Sequence, residues 1–224
     1  MTCDTRLLGE LAHGHFAARH EARERSLAHA RLLIRHAGNA IRAAHRQEWD
    51  NARSLLDGAR DEIAAIRDAL ADQPELYYHN AVGDALKEFA EARLTLALVR
   101  DEALPLPDDL GVGYAPYYNG LAEAVGELRR FILDALRRDD VATGERLLAT
   151  MDAIYELLVT IDYPDAVTGS LRRATDGVRA ITERTRGDFT AAAGQQRLAQ
   201  ALAEARVQVS VLNTPNTPND PSAP

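Results

Sequence analysis

The stretch at residues 4–46 limits what this chain can fold into more than any other part of the sequence. It contains no proline and only isolated glycines, and Leu7, Leu11, Leu27, Ile34 and Ile41 recur along it at roughly helical spacing. It therefore predicts one helix of about 40 residues, or about 60 Å at 1.5 Å per residue. A single small domain cannot cover so long a helix. Its apolar residues would remain in water unless a neighbouring subunit buries them, so we expect a closed homo-oligomer, more readily an octamer than a hexamer.

Composition and the placement of Pro and Gly predict an all-α fold for the rest of the chain. Hydrophobic residues make up 46% of the 224 residues and aromatic ones only 5%, with few β-branched runs. The one strong break is residues 103–116, which hold three Pro and two Gly. We predict a single helical domain at residues 1–211 and a disordered Pro/Asn-rich tail at 212–224. The seven predicted helices are residues 4–46, 49–71, 74–102, 117–138, 141–161, 164–189 and 190–209.

Charge is unevenly distributed along the chain. The formal net charge is −8, yet residues 19–46 hold seven Arg against two Glu. Cys3 is the only cysteine, which excludes an internal disulfide and indicates a reducing compartment. The N-terminus has no apolar leader, and no run of about 18 apolar residues occurs. We therefore expect a cytoplasmic protein with no membrane partner.

Two pairs of glutamates stand out on two predicted helices. Glu88 and Glu91 share one face of the third helix, and Glu123 and Glu127 share one face of the fourth, each pair opposite the apolar stripe of its own helix. Spacing alone favours a solvated surface, with the acids paired to Arg neighbours. The alternative is that the two helices pack side by side and direct four carboxylates at one Mg²⁺ or Mn²⁺ ion. A di-iron bundle is less well supported, because the chain has only one Glu-x-x-His motif, at residues 10–13.

Three segments resemble the translin and translin-associated factor X (TRAX) family. The clearest is "YYNGLAEAVGELRRFILDALRRDD", followed about 40 residues later by "LRRATDGVRAITERTRGDF", and "RLLIRHAGNAIRAAHRQEWDNARSLLDGA" resembles the first two helices of that family. The resemblance covers roughly residues 19–189. It implies a seven-helix fold, a closed hexameric or octameric shell, and binding of single-stranded RNA or DNA within that shell.

The resemblance also favours the catalytic TRAX branch over translin proper. In that branch a Q-E-Y-V-E-A segment supplies two metal-binding glutamates, which "KEFAEA" matches at Glu88 and Glu91. A later D-x-x-x-E supplies two more acids, which match Glu123 and Glu127, although Glu123 stands where the family has Asp. Gly120 and Gly126 are then predicted to be points of close helix approach.

These observations predict a Mg²⁺-dependent endoribonuclease that cleaves single-stranded RNA inside an oligomeric shell. Glu88, Glu91, Glu123 and Glu127 are the predicted catalytic and metal-binding residues, and which of them acts as base stays open. The predicted nucleic-acid-binding residues are Arg35, Arg42, Arg53, Arg60, His79 and Arg130. The alternatives are a non-catalytic, translin-like protein that binds single-stranded RNA or DNA, and a purely structural helical oligomer.

Overall fold

The structure, a computed structural model, describes residues 4–78 and 80–212 of the chain. Helices account for most of this part, and it contains no strand, which confirms the predicted all-α class. The helices are α1 (Thr5–His45), α2 (Trp49–Ala69), α3 (Asn80–Val99), α4 (Pro107–Leu110), α5 (Tyr114–Arg137), α6 (Val141–Val159), α7 (Asp165–Thr168) and α8 (Leu171–Leu212), with a 3₁₀ turn at Pro74–Tyr78.

The long first helix is confirmed, with defined ends. Asp4 caps its N-terminus, since the Asp4 side chain accepts a hydrogen bond from the Leu7 amide at 3.1 Å. At the other end, Gln47 takes a left-handed φ of 61°, which ends the helix and lets α2 begin at Trp49. His45 is therefore held in the last turn of α1, at the junction with α2.

The helices form a bundle in which each long helix packs on its neighbours in the chain or one beyond. α1 packs on α2 and α3, α3 packs on α5, and α5 packs on α6 and α8. Large apolar side chains such as Leu33, Phe89, Leu128 and Met151 are fully buried between them. The apolar stripe predicted for α5 faces this core, and its glutamates lie off that stripe.

Gly120 marks the closest approach of α3 and α5. A Cβ atom at this position would lie 2.7 Å from the carbonyl oxygen of Lys87 and 2.8 Å from the backbone nitrogen of Glu91. The glycine therefore lets the backbone of α5 rest directly on that of α3. Gly126 is different, because a Cβ there would meet nothing within 4 Å. The prediction of close approach is confirmed for Gly120 and wrong for Gly126.

Several predicted helix boundaries differ from the structure. The third helix, predicted at residues 74–102, is instead the 3₁₀ turn at Pro74–Tyr78 followed by α3, and the short α4 lies within the predicted loop at 103–116, so the described residues form eight α-helices rather than seven. α5 begins at Tyr114 rather than at residue 117, because Pro116 falls in the first turn, where its missing amide hydrogen costs no helical hydrogen bond. The helices predicted at residues 164–189 and 190–209 are instead the short α7 and the continuous α8. The chain breaks between them at Gly169 and Ser170, with φ of 63° and 68°. The predicted tail lies, apart from Leu212, outside the described residues.

Two helix ends project beyond the bundle with apolar side chains in water. α1 has no buried residue before Ala22, and α8 has none among its described side chains after Ala193. The exposed apolar residues on these ends are Leu7, Leu8, Leu11 and Phe16 on α1, and Leu198, Leu202, Val207 and Val209 on α8. In the described part of the chain, no helix combines the length and apolar character needed to span a membrane.

The contact at Gly120 leads to a matched pair of stability predictions. Gly120→Ala should lower the free energy of unfolding by about 2–3 kcal/mol, because the new methyl group meets backbone atoms that cannot move aside. Gly126→Ala should raise it by about 0.5–1 kcal/mol, because alanine is the better helix former and has open space there. Urea denaturation followed by circular dichroism measures both. Equal effects of the two substitutions would contradict the close approach.

Candidate active site

The helix crossing at Gly120 brings the two glutamate pairs to one place. Lys87 and Glu91 lie one turn apart on α3, and Gly120 of α5 contacts the α3 backbone at both residues. Glu123 follows Gly120 by three residues, and Glu127 lies one turn farther along the same helix. The structure therefore places Glu88, Glu91, Glu123 and Glu127 beside one another, across the α3–α5 contact.

The electrostatics of Glu91 show how closely the acids are grouped. Its burial, and then the negative charges of Glu123, Glu88 and Glu127, raise the pKa of its carboxyl to about 8. Burial also raises the pKa of Glu88, with the charge of Glu123 adding to the effect. Of the two acids on α3, Glu91 therefore tends to keep its proton near neutral pH.

A lysine from α3 binds one of the two acids of α5. The ammonium nitrogen of Lys87 donates to Oε1 of Glu123 at 2.7 Å. Burial lowers the pKa of Lys87, but its hydrogen bond and charge interaction with Glu123 outweigh burial, so that the pKa ends above its usual value. Lys87 therefore stays charged and ties α3 to α5 at the site.

Glu127 is held by two basic side chains. Nε2 of His45 lies 2.5 Å from its Oε2, and the guanidinium of Arg130 donates to the same oxygen at 2.9 Å. The side chains of His45 and Glu127 are only 10% and 18% exposed. Burial raises the pKa of Glu127, but the His45 hydrogen bond and the Arg130 charge lower it more, so the net shift is downward. Unlike Glu91, Glu127 is therefore ionised at neutral pH.

His45 is a site residue that the sequence did not reveal. Its ring stacks on Phe131, with ring centroids 4.2 Å apart and planes 16° from parallel, so both the plane of the ring and its hydrogen bond are fixed. The sequence separates His45 from Glu127 by 82 residues, and no local pattern connects them. Only the packing of the end of α1 against α5 brings them together.

The predicted nucleic-acid-binding residues fall into different surroundings. Arg130 lies at the site, through its bond to Glu127. Arg35 and Arg42 are exposed on α1, seven residues apart and so on one side of it, and Arg42 donates to Asn39 at 2.6 Å. Arg53 is bound to Glu102, and Arg60 lies near the half-buried Arg93. His79 lies outside the described residues.

The chemistry of the four acids suits a hard divalent cation. Their ligand atoms are all oxygen, which Mg²⁺ and Mn²⁺ prefer. The raised pKa of Glu91 reflects its burial first and then the negative charge of its neighbours, which a cation would neutralise. Within residues 4–78 and 80–212, no three acidic, histidine or cysteine side chains are already arranged to hold a metal ion. Glu123 and Glu127 are instead turned towards Lys87, His45 and Arg130.

Comparison by sequence identifies one relative over nearly the whole chain. No family model matches the sequence. The chain is 30% identical over 199 residues to MJ0175, an uncharacterised protein of Methanocaldococcus jannaschii, and the match covers 88% of this chain and 87% of the relative.

Comparison by structure finds C3PO proteins. The fold matches AfC3PO in its complex with duplex RNA, with a TM-score of 0.77 and 32% identity over 83% of this chain and 96% of that one. It also matches a crystal structure of AfC3PO, with a TM-score of 0.75 and 30% identity over 83% and 97% of the two chains. The match to apo-NeC3PO has a TM-score of 0.69 and 19% identity over 86% and 98%, and it shows the shared fold alone.

The raised pKa of Glu91 predicts how stability depends on pH. Between its unfolded value near 4.5 and its folded value of about 8, the folded state keeps a proton that the unfolded state has lost. The free energy of unfolding should therefore fall as pH rises from 5 to 8. Glu91→Gln should remove most of this slope and be more stable at pH 8 by about 2 kcal/mol, less than the full shift implies because solvent screens part of it.

Urea denaturation at unit pH steps in EDTA measures this difference. Glu156→Gln, an exposed acid on α6, serves as the control and should keep the slope of the unsubstituted protein. Parallel curves for the unsubstituted protein and Glu91→Gln would show that the carboxylates are not grouped as described.

Proposed function

This chain belongs to the translin and TRAX family of C3PO-type helical proteins, and on that premise we propose that it is a divalent-metal-dependent endoribonuclease acting inside an oligomeric shell. The proposed substrate is single-stranded RNA. Single-strand preference would follow from geometry, since a flexible strand enters an enclosed site more readily than a rigid duplex, and it would need no readout of the bases.

The observation that carries this proposal is the α3–α5 crossing at Gly120. Glycine there allows backbone-to-backbone contact, and this contact sets Glu88 and Glu91 against Glu123 and Glu127. If the four acids were only solvated surface residues, their role would not require the backbones of α3 and α5 to touch. Burial of Glu91 beside the other three acids raises its pKa and costs stability, which a purely structural crossing would avoid.

We assign the four glutamates to a Mg²⁺ or Mn²⁺ ion and the neighbouring side chains to their support. When bound, the ion would polarise the scissile phosphate and lower the pKa of an attacking water. His45 and Arg130 hold the Glu127 carboxylate in one orientation from two sides, which makes His45 a positioning residue. Glu91, with a pKa of about 8 in the absence of the ion, would release its proton when the ion binds.

We assign RNA binding to the exposed side of α1 that leads towards the site. Arg31, Arg35 and Arg42 lie on one side of the helix at 100° per residue, and none of them forms an ion pair with a described residue. This side is continuous with His45 at the end of α1, and hence with the glutamates. Contacts from these arginines to phosphates would bind RNA of any sequence.

We place the site within a closed homo-oligomer. The projecting ends of α1 and α8 expose apolar side chains that a partner copy would bury. The relative AfC3PO forms a complex with duplex RNA. Because that complex holds a duplex, RNA binding by this chain is to be tested on single strands and duplexes separately.

A second candidate function, RNA or single-stranded DNA binding without cleavage, has one observation in its favour. Glu123 and Glu127 already bind Lys87, His45 and Arg130, and these contacts compete with any metal ion. A shell of this kind would bind and sequester nucleic acid. Metal-dependent cleavage separates the two functions directly.

The first prediction of this proposal concerns cleavage. A labelled single-stranded RNA of about 20 nucleotides should be cut in Mg²⁺ or Mn²⁺ and remain intact in EDTA. Glu127→Gln should reduce the rate by at least about 100-fold, because it removes one ligand charge while still accepting a hydrogen bond. The matched control, Glu156→Gln, should cut at the normal rate.

A duplex of the same sequence should be cut more slowly than the single strand. Binding of both RNAs without cleavage under every metal condition would favour the second candidate function. Unfolding of Glu127→Gln would mean that this residue is structural, so circular dichroism accompanies each rate measurement.

The second prediction concerns assembly. Light scattering at micromolar concentration should give a mass several times the 24.5 kDa of one chain, and eight times that mass for an octamer. Leu202→Arg on the exposed apolar side of α8 should dissociate the particle, because it places a charge in the interface. Gln200→Arg, on the opposite side of the same helix, should not. A monomeric unsubstituted protein would remove the shell from the proposal.

A further inference from the structure

Lys87 is the only lysine in the chain, and it lies at the α3–α5 contact, beside the four glutamates. The chain has 26 Lys and Arg residues in total, and all the others are arginine. Lys87 is 24% exposed, and its ammonium nitrogen lies 2.7 Å from Oε1 of Glu123, across the α3–α5 contact.

The backbone contact at Gly120 explains how one ammonium group reaches this position. The carbonyl of Lys87 lies under Gly120, and Glu123 follows three residues later on α5, so the lysine side chain extends along the groove between the helices. The ammonium carries three N–H donors, and Glu123 accepts one of them. Among the described residues, no other side chain or backbone group accepts the remaining two.

The local charge balance shows what this ammonium does. Glu127 has His45 and Arg130 as partners, whereas Lys87 is the one cationic side chain bound to Glu123 in the described part of the chain. Lys87 also acts electrostatically on Glu88 and Glu91. Lys87 therefore neutralises part of the negative charge of the acids on both helices, as a bound divalent ion would.

We propose that Lys87 is the built-in counter-cation of the glutamate site: it competes with a divalent ion for Glu123 and, once released by that ion, binds a phosphate oxygen of the RNA. The second half of this proposal rests on the proposed ribonuclease function, and the first half does not. A compact ammonium with three donors can turn from a carboxylate to a phosphate without moving the backbone.

A merely structural bridge between α3 and α5 would behave differently. Exposed ion pairs contribute little to stability, and Glu123 is 42% exposed. If bridging were the only role, replacing Lys87 would change unfolding slightly and would loosen, rather than improve, the positions of the metal-binding acids. The direction of the change in metal affinity therefore separates the two roles.

The test measures Mn²⁺ binding to the intact protein without RNA, by electron paramagnetic resonance of the free ion. Lys87→Gln should bind Mn²⁺ about 3–10-fold more tightly, because the competing charge is removed. Lys87→Arg keeps the charge and should stay within about twofold of the unsubstituted protein. The charge-matched control is Arg137→Gln on α5, about 15 Å along the helix from Glu127, which should leave the affinity unchanged.

The second readout is RNA cleavage at saturating Mn²⁺. Lys87→Gln should raise KM and lower kcat/KM about 10-fold despite its tighter metal binding. The log–log dependence of kcat/KM on salt should become shallower by about 0.7, as expected for the loss of one phosphate contact. Lys87→Arg should recover most of this loss. Tighter metal binding combined with weaker cleavage is a pattern that a structural bridge does not produce.

Each outcome decides a separate point. Unchanged or weaker Mn²⁺ binding by Lys87→Gln would overturn the proposal, and so would an unsubstituted protein that binds no Mn²⁺. Tighter Mn²⁺ binding in a protein that cuts no RNA would retain the counter-cation and reject the proposed function. Full cleavage by Lys87→Gln, with a normal salt dependence, would reject the phosphate contact alone. Urea denaturation of every variant confirms that each is folded.

Discussion

The backbone contact between α3 and α5 at Gly120 is the constraint on which the rest of the site depends. A side chain at this position would separate the helices, since its first carbon would lie under 3 Å from two backbone atoms of α3. With the helices in contact, acids that each occupy the outer face of their own helix become neighbours across the crossing. The absence of a side chain at Gly120 thus lets two amphipathic helices bring their carboxylates together in one group.

Grouping these acids is unfavourable in electrostatic terms, and the fold offsets part of the cost with its own basic side chains. Lys87 binds Glu123, while His45 and Arg130 bind Glu127. Among the described residues, no basic side chain forms an ion pair with Glu91, and its burial, together with the charges of Glu123, Glu88 and Glu127, raises its pKa to about 8. The site therefore contains partly compensated charge, an arrangement typical of functional sites, where stability is lost in favour of ligand binding.

The glutamate site and the proposed assembly depend on different parts of the chain. Helices α1, α3 and α5 of a single chain contribute all four glutamates together with Lys87 and His45. The apolar surfaces that call for a partner lie on the projecting ends of α1 and α8. In the proposed shell, each copy would thus bring a complete site, and assembly would enclose it and control which RNA can enter.

The sequence by itself determined the helical class, the extent of α1, and the pairing of acids on two helix faces, because local periodicity and the absence of proline fix these features. It misplaced the break before α8 and the role of Gly126, since neither depends on local pattern alone. It gave no sign of His45, which lies 82 residues from its partner Glu127. Only tertiary packing decided which faces meet, because contacts between distant residues depend on how whole helices cross.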